Sequence, residues 1–178
     1  MKKILMTGVI HPAPDYQVFL QEINQQNIPV EYATGQRDIN LAQDLVLKIL
    51  YPEADLNGKE VENLNNSSVV TKLVYKNNSF LFMGDAEEIA EQDLISKQID
   101  LKADVLKVGH HGSKYSSSQN FLEKVKPKYA VIIAGINNDF GHPHLKTLKL
   151  LEKLGINILR TDFTGTIKVY SDGNFIKI

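Results

Sequence analysis

Asp85, His110 and His111 are residue types that hold divalent metals, and they occupy matching places in the chain. Asp85 follows the apolar run Phe80-Leu-Phe-Met83 through Gly84. The two histidines follow Val105-Leu-Lys-Val108 through Gly109. A short apolar run reads as a buried strand, so each set of polar groups falls just past a strand end. Between them, 87–98 reads as a helix with Ile89, Ala90, Leu94 and Ile95 at helical spacing. A right-handed crossover in such a unit puts both strand ends at one edge of a sheet, where open α/β sheets keep their sites. A carboxylate and an imidazole facing one crevice suit zinc, manganese or iron. Such a metal lowers the pKa of its bound water towards ~7, which gives a hydroxide nucleophile at neutral pH. The simpler reading of Asp85 is an N-cap on the following helix, with Gly84 making the turn.

Four of the five histidines lie in two short loops, His110-His111 and Gly141-His-Pro-His144, each after an apolar strand. That repetition favours a metal or substrate role for at least one of them. Ser113, Ser116, Ser117 and Ser118 form a hydroxyl-rich loop before a helix. They read equally as a polar cap and as a phosphate cradle completed by Lys114 and the helix N-terminus. Asn65-Asn-Ser-Ser68 reads as a turn before a strand, and His11, among prolines, as a surface loop residue. No G-x-G-x-x-G follows a strand, and no G-x-S-x-G occurs, so neither a dinucleotide fold nor a serine-hydrolase elbow is supported.

The elements that position these residues alternate. A strand over 3–6 leads to a helix over 16–25, with Asp15 as its expected N-cap. Pro29 restricts the next strand, 28–33, to an edge. A strand over 45–50 and a polar loop over 55–66 precede a hairpin, 68–75 with 79–83, turned by Lys76-Asn-Asn78. Strands over 103–108, 129–134 and 156–160 then alternate with helices over 118–125 and 144–154, the last stopped by Gly155. Strands over 166–170 and 175–178 close the chain around Asp172-Gly173.

With 178 residues the chain is expected to form a single α/β domain over 1–178, burying about 70% of its unfolded surface. The net charge of −1 gives no global basic field for nucleic acid. Lys102, Lys107, Lys114, Lys124, Lys126 and Lys128 thicken the charge locally, as a solvated face or as a phosphate-attracting rim. The absence of cysteine excludes disulfides, thiolate zinc sites and cysteine nucleophiles. No apolar run is long enough for a membrane span or signal peptide, so the chain as written reads as cytoplasmic.

Several stretches together resemble one known family. They are Phe82-Met-Gly-Asp-Ala-Glu87, Ala103-Asp-Val-Leu-Lys-Val-Gly-His-His-Gly-Ser-Lys114, Ser116-Ser-Ser118 and Phe121-Leu-Glu-Lys-Val-Lys-Pro-Lys128. Asn137-Asn-Asp-Phe-Gly-His-Pro-His144, Arg160-Thr-Asp162 and Gly165-Thr166 complete the series. They resemble the metallo-β-lactamase-fold domain attached to the bacterial competence DNA-uptake channel ComEC, and its free-standing relatives. The resemblance implies a metallo-β-lactamase-like αβ/βα sandwich and metal-dependent hydrolysis of phosphodiesters, with DNA the leading substrate and zinc or manganese the metal. It makes Asp85 the carboxylate that bridges two metals and His111 the late histidine ligand. It places His110, Ser113, Lys114 and His142 at the substrate phosphate.

The family's H-x-H-x-D-H motif would precede residue 1, so the resemblance implies an N-terminally incomplete sandwich. Asn65-Asn-Ser67 stands near the family's mid-chain histidine ligand. Two ligands are fewer than the three a catalytic zinc takes from protein. The chain alone is therefore expected to bind metal weakly and to leave apolar sheet uncovered, to be hidden in a homodimer or by a complementing N-terminal fragment. Attached to a competence channel, the domain would lie at the extracellular face. The alternative is a catalytically inactive fragment, or a binding module for nucleic acid or a protein partner.

Overall fold

The computed structural model describes residues 1–35 and 37–178. Its centre is a seven-stranded mixed sheet. β1 (Ile4–Met6) and β2 (Val30–Tyr32) pair parallel in a small separate sheet, with α1 (Pro14–Gln25) between them. The large sheet runs β3 (Arg37–Ala42), β4 (Leu45–Tyr51), β5 (Val70–Tyr75), β6 (Asn78–Phe82), β7 (Val105–Lys107), β8 (Tyr129–Ile132) and β9 (Asn157–Arg160), in chain order across the sheet. β3 to β6 are antiparallel and β6 to β9 parallel. Short turns join β3 to β4 and β5 to β6, while residues 52–69 form a long connection from β4 to β5. The parallel ones are connected through α2 (Glu88–Ser96), α3 (Gln119–Val125) and α4 (Leu145–Lys153), as parallel pairing requires. After β9 come a short helix α5 (Thr161–Thr164) and a small hairpin of β10 (Tyr170–Ser171) and β11 (Ile176–Lys177).

One face of the sheet is dry. Leu81, Leu106, Ala130 and Ile132 pack beneath Ala90 and Leu94 of α2, Phe121, Leu122 and Val125 of α3, and Leu151 of α4. Each fully buried Leu or Phe contributes about 1.5–3 kcal/mol of transfer free energy. The opposite face carries the alternate residues of the same strands. Leu45, Leu73, Phe80, Val105 and Val131 line a cavity of about 420 Å³ that Ile167 and Val169 roof on one side. Phe82 and Ile133 on this face stay 40% and 46% exposed, so apolar sheet is left open to solvent, as expected.

The structure departs from the sequence reading in three places. The N-cap of α1 is Ala13, with Pro14 opening the helix, so Asp15 sits in the first turn, where its charge still complements the helix dipole. β3 carries only a short alternation, Ile39 and Leu41 set off by Asp38 and Asn40, and the sequence reading passes over it. Of the expected strand over 166–170 only Tyr170 finds a partner, because Ile167 and Val169 lie over the sheet face instead. The fold class is as expected: among the described residues one large mixed sheet carries a layer of α2, α3 and α4, the α/β arrangement of an N-terminally incomplete αβ/βα sandwich.

Candidate metal centre

Parallel pairing of β6 with β7, Phe82 opposite Lys107, brings the segments after both strands together. His110 N donates to the Gly84 carbonyl at 3.1 Å, tying the two turns. The ends of β8 and β9 meet at the same edge, where Thr161 Oγ1 donates to the Ala134 carbonyl. Asp85 does not cap α2; Glu87 holds that position. Its backbone N–H instead donates to Ser68 Oγ at 3.0 Å, which fixes the turn and leaves the carboxylate half-exposed.

His110, His111 and Gly112 all have left-handed backbone, with φ of 44°, 54° and 81°. Two adjacent non-glycine residues in this region cost on the order of 1–3 kcal/mol each, and such strain is a common mark of functional turns. Its effect here is to splay the two imidazoles, whose planes lie 68° apart. Gly112 permits the close approach of Pro143: a Cβ there would stand 2.8 Å from the proline Cβ.

His111 turns towards Asp85, with Nε2 3.5 Å from Oδ1. Its Nδ1 lies 2.5 Å from the Ile133 carbonyl, which can only accept, so Nδ1 carries the hydrogen. An Nδ1–H held by a backbone carbonyl is the arrangement that orients metal-binding histidines, and it leaves the Nε2 lone pair on the side of Asp85 for an ion between them. Lys107 completes the surroundings. Its Nζ donates to the Gly84 carbonyl at 2.7 Å and stands 3.9 Å from Asp85 Oδ1. Burial holds the Lys107 ammonium below its ordinary value, while the Asp85 charge pulls the other way.

His110 points elsewhere. Its Nδ1 meets Glu87 Oε1 at 3.0 Å. Asn65 Nδ2 is 3.5 Å from the same ring nitrogen, but both are donors in this arrangement, so its acceptor is Glu87 Oε1 at 3.2 Å. Asn63 Nδ2 donates to the other Glu87 oxygen at 2.9 Å. Asn65-Asn-Ser67 is indeed a turn, one 3₁₀ turn before β5, and it steadies Glu87 and through it His110. His142 joins the cluster, its ring 5.2 Å from that of His110 and 6.4 Å from that of His111. Burial first, then the neighbouring His110 and His111, hold its pKa below the usual histidine value. A base depressed on folding contributes stability above its ordinary value of about 6.5 and loses it as pH falls through the folded value.

The remaining residues lie apart from the Asp85–His111 pair. His144 is the N-cap of α4, its Nδ1 accepting from Lys146 N at 3.3 Å. Ser113 is buried, its carbonyl accepting from Thr147 Oγ1 at 2.9 Å. Lys114 lines a separate recess with Lys146 and Ser117, and its Nζ lies over the Tyr115 ring. The phosphate-cradle reading of the serine loop fails at the entrance to α3. Buried Glu91 already accepts from Ser117 N at 2.5 Å and from Ser118 N at 2.9 Å, so a carboxylate of the chain occupies the anion position.

Sequence reasoning missed Glu87 and understated Lys107. The period-2 alternation of Val105-Leu-Lys-Val108 was the signal for Lys107, since it sets the lysine opposite buried Leu106 and Val108. Glu87 gives no such signal, because its partners come from a distant loop.

A carboxylate beside an imidazole of fixed tautomer is a fitting donor pair for a divalent metal. It is also a partial set: among the described residues no three His, Cys, Asp or Glu side chains group so as to hold an ion. The chain belongs to the metallo-beta-lactamase superfamily, whose family model matches residues 14–136; members of the superfamily are typically metal-dependent. It is similar to curated proteins that include an operon protein, a competence protein and a recombination protein. It is 38% identical over 165 residues to ComE operon protein 3 of Bacillus subtilis (strain 168), which covers 93% of this chain and 20% of that protein. Competence protein ComA of Neisseria gonorrhoeae is 37% identical over 105 residues, 58% of this chain and 15% of that protein. Recombination protein 2 of Haemophilus influenzae is 36% identical over 138 residues, 78% of this chain and 17% of that protein. The chain thus spans a fifth or less of the length of these relatives. No helix among the described residues is long and apolar enough to cross a membrane.

Proposed function

We propose that these residues form part of a metal-dependent phosphodiester hydrolase acting on nucleic acid, with Asp85 and His111 as metal donors. The observation that carries this reading is the 3.5 Å approach of His111 Nε2 to Asp85 Oδ1, with His111 Nδ1 tied to the Ile133 carbonyl. A bound zinc or manganese would supply an activated water and polarise a phosphoryl oxygen. The chain's own residues hold the donors in place. Ile133 sets the His111 tautomer, Ser68 fixes the Asp85 turn, and Glu87 keeps His110 beside His142 at the rim. His110 and His142 are the groups we assign to the substrate phosphate. The resemblance to the competence DNA-uptake family, with relatives named as a competence protein and a recombination protein, is what supports DNA as that substrate.

Two donors are one fewer than a catalytic zinc takes from protein. We infer that the others come from a second copy of the chain or from a further polypeptide segment, and that this partner covers the open face around Phe82 and Ile133. The test is hydrolysis of bis(p-nitrophenyl) phosphate across a series of manganese, zinc and protein concentrations. A metal-dependent rate that rises faster than linearly with protein concentration is the expected result, because the active species is an assembly. Folded protein with no metal-dependent rate at any concentration would rule out catalysis by an assembly of this chain with itself. The second reading, a binding module without catalysis, would then stand on the absence of a three-donor cluster among the described residues.

A further inference from the structure

Phe140 is 81% exposed and Ile136 74% exposed, on the loop between β8 and α4. An aromatic ring left in water is costly, yet this loop is firmly built. Asn138 closes it from within, its Nδ2 donating to the carbonyls of Gly135 at 3.0 Å and His142 at 2.5 Å, and its Oδ1 accepting from His142 N at 3.0 Å. Gly141 N adds a bond to the Asn138 carbonyl. Phe140 is therefore displayed on a firm support.

Its ring stacks towards His142, with centroids 5.9 Å apart and planes at 23°. The His142 and His111 rings continue the series at 6.4 Å and 19°. Three similarly tilted rings thus lead from an exposed aromatic face to the imidazole beside Asp85. They border a cavity of about 360 Å³, lined also by Ile133 and Gly135, a size that takes a small ring system. No carboxylate or ammonium lines it, so its chemistry suits a flat neutral ring rather than a charged or sugar-like group.

We propose that this cavity is a stacking subsite for an unpaired nucleobase of a single-stranded nucleic acid whose phosphodiester lies at the Asp85–His111 pair. The position of the phosphodiester rests on the function proposed above; the stacking surface itself does not. Every base has a π-face, so recognition here is tolerant of sequence. A duplex keeps its bases inside the stack, and a sugar-alcohol phosphate polymer has no ring to offer. The subsite therefore selects single-stranded nucleic acid among phosphodiesters.

The experiment is fluorescence anisotropy with the full chain, at low salt and in chelator so that nothing is cleaved. The probes are labelled oligothymidylate, oligouridylate and an abasic deoxyribose-phosphate strand of equal length. The expected result is tighter binding of a base-bearing strand than of the abasic one. Phe140→Ala should weaken the base-bearing strand about tenfold while leaving the abasic strand unchanged, and Phe140→Trp should retain the preference. Comparison of the two base-bearing probes shows whether DNA or RNA is held better. Equal affinity for all three strands, no binding of any, or equal loss of all three in Phe140→Ala would overturn the proposal. Hydrolysis of bis(p-nitrophenyl) phosphate, which has no base, reports the proposed function separately. Base preference without hydrolysis leaves the subsite standing and removes the hydrolase; hydrolysis without base preference does the reverse.

Discussion

Asp85→Ala is expected to reduce metal-dependent phosphodiester hydrolysis by more than about 100-fold, beyond the upper range for losing an outer-shell partner of a metal ligand. The carboxylate is one of the two proposed donors that the turns after β6 and β7 bring together. Its side chain is half-exposed and makes no hydrogen bond that the fold depends on. The turn is held by the Asp85 backbone N–H on Ser68 Oγ, which alanine keeps. Stability should therefore change by no more than about 0.5 kcal/mol, as for other exposed substitutions. Asp85→Asn keeps the shape and removes the charge, so it should fail equally. Steady-state rates beside thermal unfolding of the same preparations separate the two effects. A variant that keeps a rate within about threefold of the parent would show that Asp85 binds no catalytic metal.

The largest structural loss is expected at Glu91. This fully buried carboxylate takes the N–H groups of Ser117 and Ser118 at the entrance to α3, where helix donors have no intrahelical partner. Glu91→Ala leaves two buried donors unpaired at about 1–3 kcal/mol each, offset in part by relief of a buried charge. A net loss of about 3 kcal/mol corresponds to a Tm lower by about 6–12 °C for a chain of this size. Glu91→Gln keeps one acceptor and should lose less. The pH dependence has a definite sign. Burial raises the Glu91 pKa above its ordinary 4.5 despite the hydrogen bonds that lower it. The folded protein then holds this proton more tightly than the unfolded chain. Glu91's contribution is full below its ordinary value and declines as pH rises through the folded one. Glu91→Gln removes that slope. Thermal unfolding by circular dichroism between about pH 4.5 and 8 checks both points. An alanine variant as stable as the parent would show that the two N–H groups find other partners.

Much of this was legible from residue pattern because the second half of the chain is built from strong, local signals. Apolar strands end in Gly84-Asp85 and Gly109-His-His111, and parallel pairing alone then brings Asp85 and His111 together. The hairpin of β5 and β6 was equally clear, although Asn78 pairs with Tyr75 in the ladder and the turn is Lys76-Asn77. What escaped depends on groups distant in sequence. Glu87 is held by Asn63 and Asn65 from a polar loop with no periodicity. Glu91 reads as an ordinary helix residue until Ser117 and Ser118 fold against it. The different fates of His110 and His111 were not legible either, because they follow from two left-handed residues in succession. β3 was missed because its alternation is confined to Ile39 and Leu41, too short a pattern to stand out in an edge strand of mostly exposed residues.

The central claim is that Asp85 and His111 together hold a metal. Metal content per chain, measured by plasma mass spectrometry on untagged protein purified without chelator, tests it most directly. The account predicts about one or two equivalents of zinc or manganese, as in catalytic sites with one or two ions, lost in both Asp85→Ala and His111→Ala. Folded protein without metal, or metal that both substitutions leave in place, would contradict it.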